Sequence, residues 1–474
     1  MIGTPAPASP LPSARMAMAI GVLLSLNVVV NIVQGVSPSA GTSRAAEGLA
    51  VIILAVLAPY VRGSRRIFLA AAALLGAYCL FFLAQPGTVL GPALDQAGFI
   101  IAFFCALATL QHVAGRSPAI SRAALFLANQ PSGRRYLALG FGAQVFALIL
   151  SYGALSLLGT MARQSAEREP VPAVRALRTR RMLQGAQCGF AASLCWSPLA
   201  YAVVITSALV PGAQMSSVVV HGLGSALILV SIGWLTDRRL KKSLPQGTVV
   251  TPPDQAAASD TRSLIPLAWL LLAVAIPAAL LDVCAGIAPA HAVLALVPMI
   301  SMIWVLLETG AGHRLSVLGE RSRRFLLDDL PSFKGELVLL GTAGFIGNAS
   351  GALLAGWIAA AGFDLSAIPA RILLVLPIML VPLAGQVGLN PILFVSLFAQ
   401  LLPSPAEMGV SPVALVLALT AGWALTAPTS PFTASVMIIS RIGGVTPRVV
   451  AFTWNGVFVV TAAIGLAVWI QFLA

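Results

Sequence analysis

Long apolar runs constrain this chain more than any other feature. They occur at about 16–36, 46–61, 67–84, 97–115, 183–210, 213–236, 263–283, 286–308, 335–361, 413–440 and 449–473. A helix needs about 20 apolar residues to cross a bilayer. In lipid the backbone must satisfy its own hydrogen bonds, so such runs can only be helices. Two further apolar regions, 136–162 and 368–403, are interrupted by glycines, prolines and amides. The chain of 474 residues is 58% hydrophobic and 9% charged, against about 25% charge in soluble domains. A water-soluble globule is excluded, and the expected class is an all-α polytopic membrane protein.

The first 14 residues form an uncharged Pro/Ser/Ala tail. The run that follows is too long for a signal-peptide core and reads as a retained first span. Cys79, Cys105, Cys188, Cys195 and Cys284 lie in apolar segments without ligand spacing, so they read as small packing residues.

The net charge of +13 acquires meaning from where the cations sit. Loops 62–66, 116–135, 163–182, 237–262 and 309–334 hold 23 of the 28 Lys and Arg, so all five belong on the cytoplasmic side. Loops 116–135 and 163–182 can share a side only if 136–162 enters and returns. Gly140, Gly142 and Gln144 inside that run support a re-entrant hairpin, since glycine weakens a helix and a deep amide wants a polar cavity.

An internal repeat emerges at an offset of 233 residues. Gly189–Ser207 aligns without gaps with Gly422–Ser440, and 7 of the 19 positions are identical, including Ser197-Pro198 with Ser430-Pro431. Upstream, Gly142-Ala143-Gln144 is similar to Gly388-Leu389-Asn390, which makes 368–403 a second hairpin with Gln144 and Asn390 at the two tips. With the N-terminus cytoplasmic, eleven spans and two hairpins leave only Arg44 and Arg371 outside. The two halves then come out inverted and the C-terminus lies outside, periplasmic or extracellular. The expected parts are scaffold spans over 1–96, a first repeat over 97–240, connecting spans and loops over 241–334, and a second repeat over 335–474. Inverted repeats with broken helices meeting near the midplane are the build of secondary transporters.

With these features the chain resembles the ion transporter superfamily of divalent anion/sodium symporters, arsenite permeases and citrate-type carriers. The resemblance rests on the eleven-span plan, the hairpins near Gln144 and Asn390, and the interrupted spans at Ser197-Pro198 and Ser430-Pro431. It covers roughly 97–240 and 335–474. It implies a substrate and cation site built from a hairpin tip and a broken helix of each half. It also implies a homodimer whose transport part moves as an elevator. The Ser-Asn-Thr signature of dicarboxylate carriers is missing at the tips.

Ser-Pro inside a span removes a backbone donor and frees carbonyls. The half-helix start can face an anion, and the carbonyl end can coordinate Na⁺. Around the first break lie Gln187, Ser193, Ser197, Pro198, Thr206 and Ser207. Around the second lie Thr426, Thr429, Ser430, Pro431, Thr433 and Ser435. The bland alternative is a proline kink with hydroxyls bonded to their own helix.

All fifteen acidic residues, among them Asp95, Glu169, Asp237, Asp254, Asp260 and Asp364, fall in loops or at span ends. A cation/proton antiporter needs a carboxylate at depth, so a small organic or inorganic anion held by neutral dipoles fits better. His221 could carry a proton but reads better as a packed neutral histidine. No GxxxxGK[ST], HExxH or GxSxG motif occurs, and no nucleic-acid module accompanies the basic loops. The expected function is a secondary active transporter of the inner (plasma) membrane, with Na⁺ or H⁺ as coupling ion, no other cofactor and no enzymatic activity. Its partners are a small-molecule anion and the lipid bilayer, with no nucleic acid. The alternative class is a polytopic membrane enzyme or assembly protein acting on a lipid-linked substrate. Such a protein would usually show an acidic or His cluster beside a large outer loop.

Overall fold

A computed structural model describes residues 13–131, 133–241, 261–309, 313–361 and 365–474. The tail over 1–12, most of the basic loop 237–262 with Asp254 and Asp260, and Asp364 lie outside the described residues.

The described residues are helical with no strand, and ten helices are long and apolar enough to cross a membrane. The protein is an all-α polytopic membrane protein. The helices are α1 (Ala14–Val36), α2 (Ala40–Leu57), α3 (Ser64–Phe82), α4 (Gly87–Ala114), α5 (Pro118–Ala128), α6 (Arg135–Leu150) and α7 (Tyr152–Glu167). Next come α8 (Pro172–Trp196), α9 (Tyr201–Leu209), α10 (Met215–Lys241), α11 (Ile265–Ala285), α12 (Pro289–Glu308) and α13 (Arg314–Arg324). The last are α14 (Lys334–Ala360), α15 (Ala370–Gln386), α16 (Pro391–Leu401), α17 (Pro412–Thr429), α18 (Ala434–Gly443) and α19 (Gly456–Gln471).

Several ends follow from local chemistry. Prolines open α8, α16 and α17 at the first turn, where a missing N–H costs nothing. Asn390 caps α16 by accepting from the Ile392 N–H at 2.9 Å. Ser39 and Thr42 cap α2 reciprocally.

Helices fill several segments that sequence alone reads as loops or as one span. The stretch 116–135 contains α5, whose Ile120, Ala123, Ala124 and Leu127 are buried. Most of 163–182 is helical, and 309–334 carries α13. Charge at one face of an amphipathic helix looks like a loop when only composition is read. The run 449–473 departs from an unbroken span: a π turn at Val449–Trp454 precedes α19, which has 16 residues.

The chain forms two compact units, Met1–His112 with Leu281–Ile358, and Val113–Leu280 with Ala359–Ala474. In the first unit, α1 carries two buried amides, Asn27 and Asn31. Asn27 Nδ2 donates to the Gly98 carbonyl at 2.9 Å, and Asn31 Nδ2 donates to the Asn27 carbonyl at 2.8 Å. The first bond fixes α1 against α4 and the second satisfies Asn31 within α1, as buried polar groups require. Ala50, Ala72, Ala93, Ala97, Phe345 and Ala349 form an adjoining core of small faces. Asp95 lies inside α4 because that helix begins at Gly87, and its Oδ1 is buried with no hydrogen-bond partner among the described residues. The expectation that every carboxylate sits in a loop or at a span end therefore fails there.

In the second unit each half has one plan. α6 and α7 form the first hairpin, and the long arm α8 of the first broken helix packs along α6. α15 and α16 form the second, and α17 packs along α15. A Cβ on Gly189 of α8 would collide with the carbonyl oxygen of Gly140, and one on Gly422 of α17 with that of Pro377. The repeat-related glycines thus serve the same close approach in both halves.

Candidate functional site: two matching helix breaks and one open pocket

The Ser-Pro pairs end their helices in the same way. Ser197 sits at φ −71°, ψ 123°, and Ser430 at φ −80°, ψ 122°. Ala200 and Thr433, which start the second segments, are both extended. Ser197 Oγ accepts from the Leu199 N–H and Ser430 Oγ from the Phe432 N–H, both at 3.2 Å. Four residues therefore interrupt each span, a turn between two extended residues, held by the serine that precedes the proline.

Hydrogen bonds tie the second break to the second hairpin. Ser430 Oγ donates to the Gly385 carbonyl of α15 at 2.7 Å. Gln386 Nε2 donates to the Thr429 carbonyl at 3.3 Å. Thr433 Oγ1 donates to the Ala427 carbonyl at 3.1 Å, and Ser435 donates to the same oxygen. Thr426 and Thr429 donate back into their own helix at 2.8 and 2.6 Å. Most carbonyls freed by Pro431 are thus already engaged.

The first break is open. A pocket lies between the turn of the first hairpin and the break. Ser151, Ser193 and Ser197 supply polar lining, and Tyr152, Phe190, Tyr201 and Trp423 supply rings. None of the lining residues is charged. The start of α9 at Tyr201 also borders the pocket, and a helix start favours negative charge through its free N–H groups. Ser151 holds φ 48°, ψ −126°, the one non-glycine residue with positive φ among the described residues. Such a conformation costs about 1–3 kcal/mol and marks sites held under strain.

The twelve sequence candidates divide. Ser193 and Ser197 line the pocket, with Pro198 inside the break. Thr426, Thr429, Ser430, Pro431, Thr433 and Ser435 surround the second break. Gln187 is fully buried in α8, its Oε1 accepting from Asn455 Nδ2 at 2.9 Å while its Nε2 has no hydrogen-bond partner among the described residues. Gln144 is not at a hairpin tip. It lies within α6, accepting from Trp196 Nε1 at 2.7 Å, and the turn falls at Ser151. The second turn holds Gly388 at φ 84°, and Asn390 follows it as the cap of α16. Gln144 and Asn390 are therefore not structural counterparts, whereas Ser151 and Gly388 are. His221 Nδ1 is bonded to the Ser217 carbonyl at 2.8 Å. Among the described residues no three His, Cys, Asp or Glu are grouped to hold a metal.

Sequence reasoning missed Ser151, Tyr152, Gln386, Trp423 and Asn455. Trp423 had a signal, as the repeat partner of Phe190. Asn455 had another, as a lone amide in the last apolar run. The other three carry no local pattern that separates them from helix interior.

No family model matches the chain, and no curated protein matches it. Solved structures do, two of them as follows. One is the YdaH transporter of Alcanivorax borkumensis, described as having an unusual topology, with TM-score 0.50 and 17% identity over 90% of this chain and 98% of that one. The other is MtrF of Neisseria gonorrhoeae, described as illuminating a class of antimetabolite efflux pumps, with TM-score 0.52 and 12% identity over the same shares. These likenesses give the fold. The arrangement of helices is one already seen in two membrane proteins of nearly the same extent.

Proposed function

We propose that this protein is a secondary active transporter that moves a small organic or inorganic anion across the cell membrane, with Na⁺ or H⁺ as coupling ion. One observation carries the reading: the same helix break is built twice, against two hairpins, with a pocket beside the first. A carrier that exposes one site alternately to two sides needs two near-equivalent arrangements of its halves. Charge sorting makes those halves inverted, so exchanging open and closed roles would turn one access state into the other.

The pocket supports the substrate class. Hydroxyls and a helix start suit an oxyanion without a fixed cation, while Tyr152, Phe190, Tyr201 and Trp423 suit a flat apolar portion on the same molecule. The carbonyl end at the first break is the candidate place for Na⁺. Membership of the ion transporter superfamily, a homodimer and elevator motion of the second unit belong to this same reading. The two structural neighbours are described as a transporter and as one of a class of efflux pumps, which supports transport and leaves export as one direction to test.

Flux assays test it. Proteoliposomes bearing an imposed Na⁺ or H⁺ gradient are offered a panel of aromatic and aliphatic carboxylates and inorganic anions. Gradient-dependent flux of at least one anion, lowered about tenfold or more by Trp423→Ala, is the expected result. Lack of gradient-dependent flux for every anion in either direction overturns the reading.

A further inference from the structure

At the other end of α6 and α8, some 20–25 Å from the Ser151 turn at about 1.5 Å per residue, three arginines turn inward. Arg135 opens α6, Arg178 and Arg181 lie on the early turns of α8, and Asp237 lies near the end of α10. Arg181 is fully engaged, its Nε and Nη2 donating to the two carboxylate oxygens of Asp237 at 2.7 and 2.8 Å. Arg178 is not. It is 7% exposed, and Nη2 donates to Ser165 Oγ at 3.3 Å. Its Nη1 stands 3.9 Å from Glu169 Oε2, and neither Nε nor Nη1 makes a hydrogen bond among the described residues. Arg135, equally buried, donates through Nε to the neutral Gln130 carbonyl at 2.7 Å.

Arg135, Tyr136, Arg178, Arg181, Met182 and Asp237 line a recess that is partly open to its surroundings. Three guanidinium groups there face the carboxylates of Asp237 and Glu169, and Arg168 adds further repulsion at Arg178. Burial, then Arg178 and Arg181, pull the Arg135 pKa down to about 10. A buried cation with unbonded donors is costly unless a counter-charge joins it. Guanidinium groups are the side chains best matched to phosphoryl and carboxylate oxygens.

We propose that this recess is an anion site, separate from the transport pocket, that binds a phosphoryl oxyanion through Arg178 and Arg135. The phosphoryl group belongs either to a free phosphate or to a phospholipid headgroup. The site stands on its own geometry and does not depend on the transport reading.

Thermal unfolding of the purified full-length protein tests it. In detergent, inorganic phosphate is titrated against chloride at constant ionic strength. Separately, phosphate-free protein is compared in nanodiscs of phosphatidylglycerol and of phosphatidylcholine. A saturable rise in Tm of about 3–5 °C that Arg178→Gln and Arg135→Gln each abolish is the expected result. Appearance in the phosphate titration identifies a free anion, and appearance only with phosphatidylglycerol identifies a headgroup. Should Arg178→Gln not fold, Arg135→Gln decides alone. A rise that never saturates, that is equal in wild type and variant, or that is absent from both arms overturns the proposal.

Discussion

Asn455 Nδ2 lies 2.9 Å from Gln187 Oε1 and 3.3 Å from the Pro428 carbonyl, so one amide joins the first broken helix to the end of the second. It also donates to the Val450 carbonyl at 3.0 Å, across the π turn that precedes α19. Both Asn455 and Gln187 are buried.

Removing that amide should be costly. Asn455→Ala leaves the Gln187 oxygen and the Pro428 carbonyl without this donor, a loss of about 1–3 kcal/mol per buried unsatisfied group. The expected result is a clear fall in Tm, with Asn455→Gln recovering less than half of it because the longer side chain cannot keep all three bonds. Unchanged unfolding of Asn455→Ala would show that the junction does not hold the two helices together.

Backbone strain at Ser151 gives a prediction of opposite sign. Ser151→Gly removes the cost of φ 48° and should stabilise the protein by about 1 kcal/mol. If the strained turn shapes the pocket, substrate flux should fall while Tm rises. The pair of measurements separates this from a merely structural turn, in which stability rises and flux stays level.

Close approach of α8 to α6 and of α17 to α15 can be tested in parallel. Gly189→Ala and Gly422→Ala each place a methyl against a backbone carbonyl, and overpacking of this kind costs about 1–3 kcal/mol or more. Gly356→Ala, in α14 with nothing within 4 Å, is the matched control and should be neutral or slightly stabilising, since alanine favours a helix by up to about 1 kcal/mol. Similar losses for the two repeat glycines, measured by thermal unfolding, would bear out their equivalence.

What the sequence disclosed depended on whether a feature leaves a local chemical mark. Ser197-Pro198 and Ser430-Pro431 were legible because proline forbids an unbroken helix and the pair recurs at one offset. The hairpin turns were not, because Gly140 and Gly142 look like breakers yet lie within α6, where the Gly140 carbonyl packs against Gly189. The true turn at Ser151 uses a residue type with no preference for positive φ. Burial of Arg135 and Arg178 was equally hidden, since arginines read as loop charge until α6, α8 and α10 bring them together.

Opposed access of the two hairpins is the last expectation to test, and the corrected turn positions choose the probes. Single cysteines replace Ser151 and Gly388 in a variant lacking the five native cysteines, and a membrane-impermeant thiol reagent is added from one side at a time. In an inverted arrangement the first turn reaches toward the outside from a cytoplasmic opening and the second does the reverse. A pocket lies beside Ser151, and Ser430 Oγ donates to the Gly385 carbonyl next to the second turn. Cysteine at 151 should therefore react from one side only, and cysteine at 388 from the other side only. Adding Ser430→Ala to the 388 variant removes that tie and should leave the side of labelling unchanged. Labelling of both positions from one face, with or without Ser430→Ala, would mean that the halves are repeated without being inverted, and alternating exposure would then need another source than exchange between them.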